Sequence, residues 1–261
     1  MKHWLALIFI LSLLAGCDMN QESNTAAKPA EKEELASKTP TRLIEYVWNK
    51  EGPNFSEEKL IELTQKWNAR IDAGQYDMWG ANILRPQFES EDFDFIWVLI
   101  WPSSETRDAA WADWSLNQDA DWRNETKDIF DYAPEDVYGF ESRWGYQSSN
   151  FDISVGQTFE PSFSFCAFNE GFDRSNLDTL QTKYNDWLDE DSAGNTQPYA
   201  YTMLDAQFEQ DNIDFVWLDL FLNEDDKQAG QDSWSGTDLE KEWNELATCQ
   251  NFQFTATAIR R

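Results

Sequence analysis

Apolar residues along the chain switch between a period of about two and a period of about 3.6, and the switches occur in the same order twice. An extended stretch, Leu43–Trp48, precedes a helical stripe of Leu60, Leu63, Trp67 and Ile71. Asn54 with Glu57 has the form of a capping box at its start. Two alternating segments follow, Met78–Phe88 and Phe93–Trp101, separated by the polar turn Glu89–Asp92. A helical region over Arg107–Phe130, broken at Asn117–Asp119, then leads to a strand around Val137–Trp144. The second pass reads Ser162–Phe168, then a stripe of Leu177, Leu180, Tyr184 and Leu188 with Ser175 and Asp178 at the cap. It continues with Tyr199–Phe208, Ile213–Leu222, a helical region over Lys227–Cys249 broken at Gly236–Thr237, and Phe252–Ile259.

The two passes are related in sequence as well as in pattern. Leu84–Ser115 aligns without a gap on Leu204–Ser235, with ten identities over 32 positions, including Trp97/Trp217 and Trp114/Trp234. Upstream, Leu60/Leu177, Leu63/Leu180, Lys66/Lys183, Asn68/Asn185 and Asp72/Asp189 agree; downstream, Trp122 matches Trp243. Each copy therefore predicts β-α-β-β-α-β, the order of the ferredoxin-like motif. Two such copies in one chain, over roughly 43–261, resemble the dimeric α/β-barrel superfamily in fused form. The resemblance rests on element order and duplication, with no characterised family matched by motif. It implies an α+β fold of two tandem ferredoxin-like repeats, 41–150 and 151–261, closing a pseudo-dimeric barrel in a monomeric chain. Such a fold hosts many activities and implies none by itself.

Alternation divides the third strand of each copy into two faces. Ile96, Val98 and Ile100, with Val216, Leu218 and Leu220, form an aliphatic face expected to pack on the helices. Phe95, Trp97, Leu99 and Trp101, with Phe215, Trp217, Asp219 and Phe221, form an aromatic face expected to point into the barrel and bind a ligand. Leu99 becomes Asp219, and a carboxylate among aromatic rings is costly to bury ionised. Asp219 is therefore the one candidate for proton transfer or ligand orientation; its bland alternative is a solvated or ion-paired acid at the open side of the sheet. Glu89/Glu209 and Asp94/Asp214 read as turn and edge residues. The paired tryptophans read as packing, leaving Trp48, Trp111, Trp144 and Trp187 freer to meet a ligand.

The N-terminus changes the setting. Met1-Lys2-His3-Trp4, an apolar run Leu5–Leu14 and Ala15-Gly16-Cys17 make a secretory signal, too short for a membrane span of roughly 20 residues. Leu14-Ala15-Gly16-Cys17 resembles the lipobox of bacterial lipoproteins, which implies a signal over 1–16, lipidation at Cys17 and attachment to a membrane on the periplasmic side. Asp18 resembles the signal for inner-membrane retention, with the outer membrane as the alternative. Residues 17–40 are polar and Pro-containing and are expected to be a disordered tether, spanning about 25–30 Å as a flexible coil.

Composition then removes most chemistry. With 20 Lys and Arg against 49 Asp and Glu, the net charge of −29 argues against nucleic acid. Salt adaptation or cation binding could explain the acidity, but Asp189–Gly194 opens a calcium-loop pattern that Ala200 fails to close. The single histidine, His3, lies in the signal, so the remainder has no histidine for a nucleophilic triad, the usual zinc sites or a histidine-ligated haem. No cofactor or metal is implied. Cys166 and Cys249, left over once Cys17 is lipidated, are expected to form a disulfide in an oxidising envelope. The duplication sets their counterparts near Val47 and Ile129. These observations favour a non-catalytic module binding a small ligand or a glycan. The alternatives are an envelope interaction partner and a cofactor-free enzyme resembling the small monooxygenases of the barrel superfamily, using Asp219.

Overall fold

The computed structural model describes residues 41–192, 197–210 and 212–261. The expected signal and tether, Cys17 included, lie outside them. The first half runs β1 (Arg42–Glu51), α1 (Glu57–Ala73), β2 (Gly80–Pro86), β3 (Phe95–Trp101), α2 (Ser104–Asn117), α3 (Asp119–Thr126), the short β4 (Phe130–Asp131) and β5 (Val137–Gln147). The second runs β6 (Thr158–Phe168), α4 (Arg174–Ser192), β7 (Tyr199–Ala206), β8 (Phe215–Phe221), α5 (Glu224–Trp234), α6 (Asp238–Leu246) and β9 (Ala247–Arg260). The expected breaks in both helical regions fall where α2 gives way to α3 and α5 to α6. Helix starts differ by a residue or two from expectation. The Ser56 hydroxyl, not Asn54, accepts from the Lys59 amide, and Asp173, not Ser175, accepts from the Ser175 and Asn176 amides.

Eight strands close a barrel in the order β1-β3-β2-β9-β6-β8-β7-β5 and back to β1, every pair antiparallel. Closure leaves none of the eight with an unpaired edge. Within each half the second, third, first and last long strands are neighbours in that order. Two seams, β2 with β9 and β5 with β7, join the halves. Helices lie outside the sheet.

The faces of β3 and β8 are assigned opposite to expectation. Ile96, Val98, Val216 and Leu218 fill the lumen with Phe140, Phe163 and Phe254. Phe95, Trp97 and Trp101 pack beneath α1, α2 and α3, against Leu63, Trp67, Trp114 and Trp122. Phe215, Trp217 and Phe221 pack beneath the helices of the second half. An eight-strand barrel leaves an interior just wide enough for side chains, and rings from other strands, among them Tyr46, Phe140, Phe159, Phe163 and Phe254, already take much of it, so β3 and β8 contribute smaller aliphatic groups. Broad indole and phenyl rings bridge the wider gap between sheet and helix. Alternation separates the two faces but carries no label for inside.

Cys166 and Cys249 are disulfide-bonded and are register partners on β6 and β9. Their counterparts are not Val47 and Ile129. Cys166 pairs with Phe215 as Asn49 pairs with Phe95, and β4 extends the β1 ladder so that Tyr132 takes the place of Cys249. Asp94 and Asp214 are edge residues as expected: their carboxylates accept from the amides of Glu51 at 2.8 Å and Phe168 at 2.7 Å, tying strand ends together.

Candidate functional site

On the outer face of the second half, a cavity of about 910 Å³ separates β6, β8 and β9 from α4, α5 and α6. Four positions explain why it opens here and not in the first half. Pairing sets Glu45 opposite Leu99 on β1 and Ser162 opposite Asp219 on β6, so Ser162 stands where the first half has Glu45. The aligned sequences replace Trp101 by Phe221, Ala110 by Gly230 and Trp111 by Gln231. In the first half Glu45 is buried, and it accepts from Arg107 at 2.7 Å, Trp101 Nε1 at 2.8 Å and Trp111 Nε1 at 2.9 Å. That cluster fills the space. In the second half each partner is smaller, and Ser162, Phe221, Gly230 and Gln231 line the cavity instead.

Asp219 stands in its wall. Asp219 Oδ1 accepts from the Tyr199 hydroxyl at 2.5 Å and from Trp217 Nε1 at 2.9 Å, and Tyr184 donates to the Tyr199 oxygen at 3.1 Å. No hydrogen bond among the described residues reaches Oδ2. The residue is half-buried and lines the cavity. Desolvation pushes its pKa up to about 6, and the two donors pull it partway back. Burial, with the neighbouring acid, holds the Tyr184 and Tyr199 phenols above their ordinary value, so both remain protonated donors. Tyr201 stacks on Trp217 with centroids 4.0 Å apart, fixing the indole that holds Asp219.

Of the residues expected to form one pocket, Trp217, Asp219 and Phe221 line this cavity, with Phe215 packed behind them; Phe95, Trp97 and Trp101 lie in the other half's core and do not. The single exchange Leu99/Asp219 also explains an asymmetry. Trp217 Nε1 has its carboxylate, whereas Trp97 Nε1 is buried without a hydrogen-bond partner, because Leu99 offers no acceptor. Trp187, one of the unpaired tryptophans, does line the cavity and stacks on Tyr184. Trp111 is spent on Glu45, and Trp48 packs between Phe93 and Tyr138. Sequence reasoning passed over Tyr184, Tyr199, Gly230 and Gln231 as site residues. The loss of bulk at Trp111/Gln231 was the signal available for the last two.

Comparison with protein-family models and with curated proteins finds no match. Solved structures do match. An anthrone oxidase-like protein superposes with a TM-score of 0.50 at 10% identity, over 85% of this chain and 92% of that one. A variant chlorite dismutase from Candidatus Nitrospira defluvii gives 0.51 at 6% identity, over 84% and 92%. A haem-binding protein from Thermus thermophilus gives 0.50 at 9% identity, over 84% and 91%. The fold is that of the dimeric α/β barrels. The expectation of a non-catalytic binding module is corrected by these neighbours, whose names are those of enzymes and a haem protein.

One neighbour is named for haem, and the cavity beside Asp219 does not suit that group. Haem iron takes histidine, thiolate, methionine or tyrosinate. The described walls hold no histidine or methionine, and their one cysteine, Cys249, is in the disulfide. Of the three tyrosines in the walls, Tyr146, Tyr184 and Tyr199, the latter two are held in the hydrogen-bonded chain to Asp219 and pushed up in pKa, the wrong direction for a tyrosinate ligand. The walls carry Asp189, Asp219, Asp226 and Glu240 with no Lys or Arg, so the haem's two carboxylates would be repelled.

Proposed function

We propose that the protein is a cofactor-free enzyme of the monooxygenase type, in which Asp219 removes a proton from a flat, weakly acidic substrate held among the aromatic walls. The observation that carries this reading is the one-sided restraint of a cavity-lining carboxyl: Oδ1 accepts from Tyr199 and Trp217, and no hydrogen bond among the described residues reaches Oδ2. A base works best when its pKa lies close to the working pH, and such groups contribute roughly 10²–10⁴-fold. A pKa of about 6 leaves Asp219 ionised at neutral pH yet more basic than an ordinary aspartate. Tyr199, itself steadied by Tyr184, holds the carboxylate in orientation. Trp187, Trp234 and Trp243 offer π-faces to a planar ring system.

Anthrone is the probe this chemistry suggests. Loss of a proton from its methylene carbon to Asp219 gives an enolate, whose carbon bonds dioxygen and takes a proton back to form a hydroperoxide. Loss of the second proton from that carbon then breaks the O–O bond, leaving a carbonyl and releasing the other oxygen as water. Anthrone and one dioxygen thereby yield anthraquinone and one water. Oxygen uptake by wild-type protein over the buffer blank, falling by at least about 10²-fold in Asp219→Asn, supports the reading. Equal rates in the two proteins, or none in either, sink it.

The two halves are proposed to be tandem ferredoxin-like repeats, supported by their identical element order and strand neighbours. The chain is further proposed to act as a monomer tethered through lipidated Cys17 on the periplasmic side, on the strength of its lipobox-like sequence. Metabolic labelling with radioactive palmitate, lost in Cys17→Ser, tests the anchor.

A further inference from the structure

A second cavity, of about 320 Å³, opens from one end of the barrel into its lumen, on the opposite side of the sheet from Asp219. This recess is open to solvent and walled by Ile44, Leu84, Val98, Phe163 and Leu218, so it presents apolar surface that a ligand's apolar body can cover. Its size falls at the small end of ligand pockets, about 300–1,000 Å³.

The polar groups on this cavity are chiefly donors. Arg261 lines it, and its guanidinium reaches Asn82 Oδ1 at 2.7 Å and the carbonyls of Arg260 and Ala81 at 2.7 and 3.4 Å, all neutral acceptors. Arg42 lines it too, its guanidinium 3.7 Å from the Trp79 ring centroid. The Tyr46 hydroxyl faces the same space from a buried side chain and has no hydrogen-bond partner among the described residues. Among the described side chains that line it one is a carboxylate, Asp152, which attracts Arg261. Burial lowers the pKa of both arginines, as it does for any cation drawn partly out of water. In a chain of net charge −29, two guanidiniums around an apolar lumen form a local exception.

We infer that the barrel lumen is a binding site for a medium-chain monocarboxylate, its anionic head met by Arg261 and Arg42 and its apolar body held between β1, β2, β3, β6 and β8. The fit is one of charge and surface together. An arginine fork accepts a carboxylate with geometric preference, and the aliphatic walls take a chain without asking for further hydrogen bonds. A bulky anion is excluded by the lumen, and a cation by the arginines. The site is separate from Asp219 and does not depend on its role.

Sodium decanoate titrated into the protein by calorimetry provides the test, with 1-decanol as the uncharged control. The expected result is saturable binding of one decanoate per chain, with decanol at least tenfold weaker. Arg261→Gln should weaken decanoate at least tenfold, and Val98→Phe, which fills the lumen, should abolish binding. Asp219→Asn should bind decanoate as the wild type does. Leu218→Phe narrows the same space from another strand and serves if Val98→Phe fails to fold, with near-ultraviolet circular dichroism as the check. No decanoate binding, decanol binding as tightly as decanoate, or undiminished binding to a folded lumen-filling variant would each overturn the assignment.

Discussion

Asp219→Asn should stabilise the fold at neutral pH while removing the proposed base. The folded-state pKa of Asp219 is about 6, against an ordinary value of 3.8. Between those values the native state binds the proton more tightly than the unfolded chain does, so stability falls as pH rises through that window. Each pH unit of separation is worth about 1.4 kcal/mol, giving an upper limit of about 3 kcal/mol at pH 7. Because the cavity gives the carboxyl partial access to water, solvent screening reduces this, and about 1–3 kcal/mol is expected. Asparagine keeps an oxygen for Tyr199 and Trp217 and puts an uncharged amide group in the place of Oδ2. Urea unfolding followed by tryptophan fluorescence, in both proteins from pH 3 to pH 8, isolates the effect, since other titrations cancel in the difference. The gain should be near zero at pH 3, grow through pH 4–6 and level off above pH 7. A difference that stays constant across the range, or an Asn variant less stable at pH 7, would refute the claim that the two donors only partly compensate the burial of this charge.

Other changes probe the frame around the site. Replacing both Cys166 and Cys249 by Ala releases a link between residues 83 apart in sequence, worth at most about 4.5 kcal/mol on the chain-entropy argument. Calorimetric unfolding should show a fall in Tm of up to about 9–18 °C at roughly 2–4 °C per kcal/mol. Glu45→Ala removes the acceptor of two indole N–H groups and leaves Arg107 only the exposed Asp108 as an ion-pair partner, and should cost about 2–5 kcal/mol in chemical denaturation. Trp217→Phe removes a donor that lowers the Asp219 pKa, so the acid limb of any pH–rate profile should move up. Trp97→Phe, whose N–H is already unpartnered, should leave that limb unmoved. Gln231→Trp restores the bulk found in the first half and should abolish oxygen uptake while preserving the unfolding midpoint.

Much of the architecture is readable from periodicity because burial is one-sided: Leu60, Leu63, Trp67 and Ile71 repeat at helical spacing since only one flank of α1 meets the sheet. Interruptions at Asn117–Asp119 and Gly236–Thr237 are visible for the same reason, as caps and turns replace apolar positions. Inside and outside of the barrel are not visible, because β3 and β8 are buried on both faces and Trp97 is as apolar as Val98. The acid at Asp219 stood out by its contrast with Leu99. Its partners did not, since Tyr184 and Tyr199 converge on it only through the pairing of β7 with β8 and the seat of α4 above them. The cavity is a matter of bulk removed at Ser162, Phe221, Gly230 and Gln231, and side chains missing from one copy register only when the two are laid against each other residue by residue.

The seams of β2 with β9 and β5 with β7 have a consequence for how this molecule behaves when scarce. A barrel assembled from two chains comes apart on dilution, and its stability depends on how many copies the cell makes. Here both seams join parts of one polypeptide, so closure is unimolecular and independent of abundance. One chain also frees the halves from identity. In a symmetric pair, a change that hollowed out one flank would hollow out both, doubling its energetic penalty. This chain instead keeps a solid flank around Glu45 and Arg107 and devotes the other to open space, a division of labour unavailable to two copies of the same subunit.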